Sequence, residues 1–141
     1  MPYAALLERT VPISRARFFA ELADFGGVQK HLPDDAESVV LEGNGIGAVR
    51  TVRVKGVPGE LKERLDALLD QRLLSYSIIN ETALPLERYH AVVELEDAPG
   101  GGTKVRWGSN WIAKGSPEAE VRKMLVDLYG RLIDGIVRVA S

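Results

Sequence analysis

Two neighbouring stretches, Ala48-Val49-Arg50-Thr51-Val52-Arg53-Val54 and Glu60-Leu61-Lys62-Glu63-Arg64-Leu65-Asp66-Ala67-Leu68, carry the reading of the fold. Both alternate with period two, the spacing at which side chains project to opposite faces of a strand. In the second, Leu61, Leu65 and Ala67 mark one face and Lys62, Arg64 and Asp66 the other, yet Glu63 falls with the leucines. In the first, Arg50 shares its side with Ala48, Val52 and Val54, while Thr51 and Arg53 take the opposite one. A carboxylate and a guanidinium are thus predicted to point where apolar groups point, which costs free energy unless each is paired, hydrated or used. Such a placement predicts an internal hollow.

The chain continues in the same manner on either side. Strands are predicted over 73–80 and 87–95, so 48–95 holds four in succession, separated by turns at 56–59 and 70–72 and by a loop containing Pro85. Upstream lie a strand over about 3–11, ended by Pro12, and a helix over 15–22 behind the N-cap Ser14, with Phe18, Phe19 and Leu22 at helical spacing. Asp24-Phe25-Gly26-Gly27 interrupts it, a second short helix follows over 28–31, and a strand over 38–41 reaches the turn Gly43-Asn44-Gly45. Downstream, Pro99-Gly100-Gly101-Gly102 turns into a strand over 103–112.

The last element differs in kind. Ser116-Pro117 before Glu118 and Glu120 reads as a helix start, with a cap, a proline at the first position and an acidic first turn. Val121, Leu125, Leu128, Leu132 and Ile136 recur at three- and four-residue steps, with Arg122, Lys123, Asp127 and Arg131 on the outer side. One strand, two short helices, six strands in hairpin succession and one long helix predict an α+β fold: a seven-stranded antiparallel sheet curled around the C-terminal helix. A single domain over 1–141 is expected.

Composition removes several function classes. Hydrophobic residues at 45% and charged residues at 27% exclude disorder, and a formal net charge of -2 offers no basic face for nucleic acid. With no cysteine there are no disulfides, thiolate metal sites or cysteine nucleophiles. No signal peptide or membrane span is predicted, and a cytoplasmic protein is expected. His31 and His90 are the only histidines, and His90 points outward by parity, so neither a metal site nor a serine–histidine triad is expected, nor any cofactor. Gly43-Asn44-Gly45-Ile46-Gly47 lies between strands rather than before a helix, which rules out a dinucleotide fingerprint.

The inward faces can be aligned. A turn at 56–59 that sets Val54 opposite Leu61 places Val52 against Glu63 and Arg50 against Leu65, leaving Arg50 and Glu63 diagonal neighbours. Setting Leu69 opposite Leu74 sends Tyr76, Ile78 and Asn80 inward, with Asn80 beside Glu63. The next strands send Tyr89, Ala91, Val93 and Leu95, then Val105, Trp107, Ser109 and Trp111, to the same side. A band of Glu63, Asn80, Tyr89 and Trp111 results, with Arg50 near one end. In a small-molecule site Arg50 meets an acidic group or pairs with Glu63, Tyr89 and Asn80 donate hydrogen bonds, and Trp107 and Trp111 supply stacking area. The plainer alternative is a buried Arg50–Glu63 ion pair with both tryptophans in the core.

Asp24-Phe25-Gly26-Gly27 after the first helix, Gly45-Ile46-Gly47-Ala48-Val49-Arg50-Thr51 entering a strand, Glu63-Arg64-Leu65-Asp66-Ala67 and Leu74-Ser75-Tyr76-Ser77-Ile78 resemble the SRPBCC (START-like) superfamily. The polyketide cyclase/dehydratase and lipid-transport group within it is the nearer likeness. The resemblance implies a helix-grip fold whose cavity takes a hydrophobic or amphipathic small molecule. From Val49 to Leu95 the chain is also similar to the plant abscisic acid receptors. Gly56-Val57-Pro58-Gly59 resembles their gate loop and Leu84-Pro85-Leu86 occupies the place of their latch, while Glu63 and Tyr89 match ligand-contacting positions. The latch histidine and arginine are Leu84 and Pro85 here. Two mobile loops over a cavity mouth are what this likeness implies.

The function expected is therefore binding of a lipid, polyketide or terpenoid-like ligand by a monomer or homodimer. The alternative is a cyclase or dehydratase in which Glu63 removes a proton beside a ketone and Tyr89 or Arg50 stabilises the enolate oxygen.

Overall fold

A computed structural model of the chain describes residues 3–141. Strand β1 (Ala5–Val11) leads into helix α1 (Arg15–Ala23), where the Ser14 hydroxyl accepts from the Arg17 N–H at 3.2 Å and caps the first turn. A single 3₁₀ turn (Phe25–Gly27) and the short helix α2 (Val28–His31) follow. Then come β2 (Ala36–Glu42), β3 (Val49–Val54), β4 (Leu61–Leu69), β5 (Leu73–Ile78), β6 (Leu86–Asp97), β7 (Thr103–Ala113) and helix α3 (Glu118–Ala140). The strands form one antiparallel sheet in the order β1-β7-β6-β5-β4-β3-β2. Its inner face and α3 bury the core between them, in the α+β arrangement that the element order predicts and the helix grip that the resemblance implies. No helix among the described residues is long and apolar enough to cross a membrane.

Helix α3 buries Val121, Leu125, Tyr129, Leu132, Ile133 and Ile136, while Leu128 is only partly covered. The buried stripe is thus wider than the expected one and carries a tyrosine in its middle. Pro117 occupies the cap position and no side chain caps the helix, so Ser116 does not act as the cap.

Strand register departs from expectation in an instructive way. Arg50 lies directly opposite Glu63 and Val52 opposite Leu61, because the β3–β4 ladder ends at Val52 and leaves a wider connection than a tight closure would; Arg53 and Val54 pair only with β2. On the other side of β4, a three-residue turn sets Leu69 opposite Leu73, and a bulge at Asp66 adds a second one-residue shift. Glu63 therefore faces Ile78 rather than Asn80. Two single shifts restore parity, so Glu63 still points inward. Between turn and bulge the parity is reversed: Leu68 opposes the buried Leu74, and Ala67 joins Ser75 on the outer face.

Candidate functional site

Arg50 and Glu63 are both more than nine-tenths buried, and Arg50 Nε donates to Glu63 Oε1 at 2.8 Å. One Arg50 terminal nitrogen also donates to the Phe25 carbonyl at 3.1 Å. The guanidinium lies 3.9 Å from the centre of the Phe25 ring and 5.2 Å from that of Tyr76, so two aromatic faces support the cation. The 3₁₀ turn before α2 brings Phe25 there, which gives the Asp24-Phe25-Gly26-Gly27 interruption a structural purpose.

Beside this pair lies a cluster of hydroxyls. Tyr89 of β6 and Tyr129 of α3 are hydrogen-bonded through their phenol oxygens, and Tyr129 donates to Ser109 of β7 at 2.5 Å. Trp107 Nε1 donates to the Tyr76 hydroxyl at 3.3 Å, and its indole stacks on Tyr129 with ring centres 5.6 Å apart. Burial, reinforced by the Glu63 charge, pushes the Tyr76 phenol up to about 12. Burial first, and neighbouring phenols second, raise Tyr89 well above its ordinary value, and burial raises Tyr129. All three remain protonated.

Arg50, Glu63, Tyr76 and Tyr89 line one wall of a partly open hollow of about 240 Å³ between the sheet and α3. Its other walls are almost wholly aliphatic, including Val52, Leu61 and Ile78 from the sheet and Leu125, Leu128 and Leu132 from the helix. Asp35 and Arg131, joined as an ion pair, are the remaining charged residues on its lining. From the loops named above, Val57, Leu84 and Leu86 also line it. Val57, Pro58 and Gly59 face Thr82 and Leu84 across a shallow groove beside Val52 and Val54. Gly56 and Gly59 have φ of +76° and +80° with open space where a Cβ would stand, and the Pro85 carbonyl accepts from the Lys114 N–H at 2.9 Å.

Three of the sequence-predicted site residues fall outside this hollow. The Asn80 side chain accepts from the Lys62 N–H at 2.9 Å and donates to the Glu60 carbonyl at 2.9 Å, so it fastens the start of β4 and spends its amide on backbone. Trp107 lies behind Tyr76, and Trp111 is half-buried at the far end of β7, its indole nitrogen without a partner among the described residues. Phe25 and Tyr129 do not line the hollow either, but they hold the Arg50 and Tyr89 that do, and both escaped the sequence reading. The signal for Tyr129 was present: it stands four residues from both Leu125 and Ile133, inside the apolar stripe. Phe25 was marked only as part of the Asp24-Phe25-Gly26-Gly27 interruption, with no periodicity to direct its ring toward Arg50.

Residues 7–141 match the family model for polyketide cyclase/dehydrase and lipid transport. The chain belongs to this family. It is accordingly an SRPBCC (START-like) protein. Among solved structures it is similar to an uncharacterized protein from Bacillus thuringiensis at 18% identity, with a TM-score of 0.77 over 96% of this chain and 97% of that one. XoxI from Bacillus cereus is similar at 19% identity, TM-score 0.76, over 96% and 94% of the two chains. Ara h 8.0201 is similar at 24% identity, TM-score 0.77, with the same coverage. At these identities the likeness speaks for the shared fold alone. No curated protein matches the chain.

Proposed function

We propose that the chain binds a small, largely apolar molecule in the hollow between the sheet and α3. One observation carries this reading: four polar side chains, Arg50, Glu63, Tyr76 and Tyr89, converge on one wall of a space whose other walls are mostly hydrocarbon. Apolar contact would supply most of the affinity, and the polar wall would fix orientation. The loops at Gly56–Gly59 and Leu84–Leu86 act as the rim, with Val57 and Leu84 reaching inward and two left-handed glycines leaving the first loop free to hinge. The family description, which includes lipid transport, supports the same reading.

The test is native mass spectrometry of the purified protein for a copurified molecule, with thermal-shift measurements against aromatic polyketides, fatty alcohols and acids, and terpenoids. Binding to the native state raises the melting temperature in proportion to the logarithm of ligand excess, so a matching class should raise it by several degrees. Absence of both a copurified molecule and any shift overturns the proposal.

The family description also covers cyclases and dehydrases, which favours a second reading with Glu63 as the proton acceptor. Glu63→Gln separates the two: a binder retains measurable affinity, whereas a Glu63-dependent catalyst loses turnover by about 10²-fold or more while still taking up substrate.

A further inference from the structure

The charges on the lining of the hollow occur in two pairs, Arg50 with Glu63 and Asp35 with Arg131, so the site offers no unbalanced cation. Arg50 is the deeper base, and its charge is already met by a carboxylate at 2.8 Å, a carbonyl at 3.1 Å and two aromatic faces. A ligand carboxylate brought to this wall would gain little from so compensated a guanidinium. It would also face the Glu63 carboxylate within a mostly hydrocarbon lining, which screens the repulsion weakly.

An uncharged hydroxyl meets the opposite situation. Among the described residues, Glu63 Oε2 and the second terminal nitrogen of Arg50 have no hydrogen-bond partner in the protein. Glu63 can only accept and Arg50 can only donate. A group that both donates and accepts satisfies both atoms at once, and an ionised acid, having no proton to give, satisfies one of them.

Resting on the ligand-binding reading above, we propose that the hollow selects uncharged alcohols, phenols or enols over the corresponding carboxylic acids, and that Glu63 enforces this choice. Arg50 is then a positioning group that holds Glu63 and turns its free oxygen toward the ligand. The acid-meeting role considered for Arg50 from the sequence is replaced by this one.

Two matched pairs test it by calorimetric titration at neutral pH: decan-1-ol against decanoate, and 2-naphthol against 2-naphthoate. In the native protein the alcohol or phenol should bind at least about ten-fold more tightly than its acid, as expected when like charges are opposed at a desolvated site. In Glu63→Gln, which keeps the shape and removes the charge, the ratio should shrink or reverse, because Arg50 is left unbalanced. Equal or tighter binding of the acids by the native protein overturns the proposal, and this comparison needs no variant to fold. An unchanged ratio in folded Glu63→Gln overturns the assignment to Glu63. If neither member of either pair binds while another class from the thermal-shift panel does, this inference falls and the ligand-binding reading stands. Silence from every compound removes the reading beneath it.

Discussion

The hydroxyl of Tyr129 hangs from α3 between Tyr89 of β6 and Ser109 of β7, joining the helix to two neighbouring strands. Each such group is buried, so removing one partner strands the others without water to replace it. Tyr129→Phe should therefore lower the unfolding free energy in urea by about 1–3 kcal/mol, with the slope of the transition unchanged. An unaltered midpoint would mean that these hydroxyls are satisfied some other way. At this scale, period-two reading found Arg50, Glu63, Tyr76 and Tyr89, because the face of a strand residue follows from counting. Asn80 was misread because its amide can bond to nearby backbone, which ends a strand that the hydrophobic pattern would prolong. Phe25 was missed because its place depends on a single turn of 3₁₀ backbone.

Among the glycines described, the one with least room for a side chain is Gly135, where α3 meets α2. A Cβ built there would stand 2.0 Å from the His31 carbonyl oxygen, closer than any real contact, and that neighbour is backbone. Gly135→Ala gains helix propensity of about 1 kcal/mol in isolation. It must nevertheless push the two helices apart, at a cost of roughly 1–3 kcal/mol or more for an overfilled contact. A net loss of stability is expected, read as a lower urea midpoint; a higher midpoint would show that α2 and α3 are not so close. Strand faces survived the errors of register for a reason that also belongs to this level. Both hairpins flanking Glu63 slipped by two residues, and an even slip changes a residue's neighbour without changing its side. The bulge at Asp66 was not legible, since no glycine or proline marks it, and with it went the assignment of Ala67 and Leu68 to their faces.

For the molecule as a whole, acidity should act through His31. Burial holds its imidazole below the ordinary value of 6.5, outweighing the neighbouring Glu21 carboxylate, which accepts from Nε2 at 3.0 Å. Lys30 opposes the proton and Asp24 favours it, both more weakly. The unfolded chain thus takes up this proton more readily than the folded one, so the contribution is complete above about pH 6.5 and is lost as pH falls below it. Unfolding free energy should decline between about pH 7 and about pH 5, and His31→Gln should flatten that interval. The same decline in both proteins would exclude His31 as its source. A further consequence concerns the lining of the hollow, where Asp35 and Arg131 reach toward one another with side chains 38% and 52% exposed. Water already bathes this bridge, so breaking it costs no more than about 1 kcal/mol. It is a fastening too slight to imprison anything. In the ligand-binding reading proposed above, exchange with the surroundings falls to the hydrocarbon side chains at the threshold, and dissolved salt should have little hold over its pace.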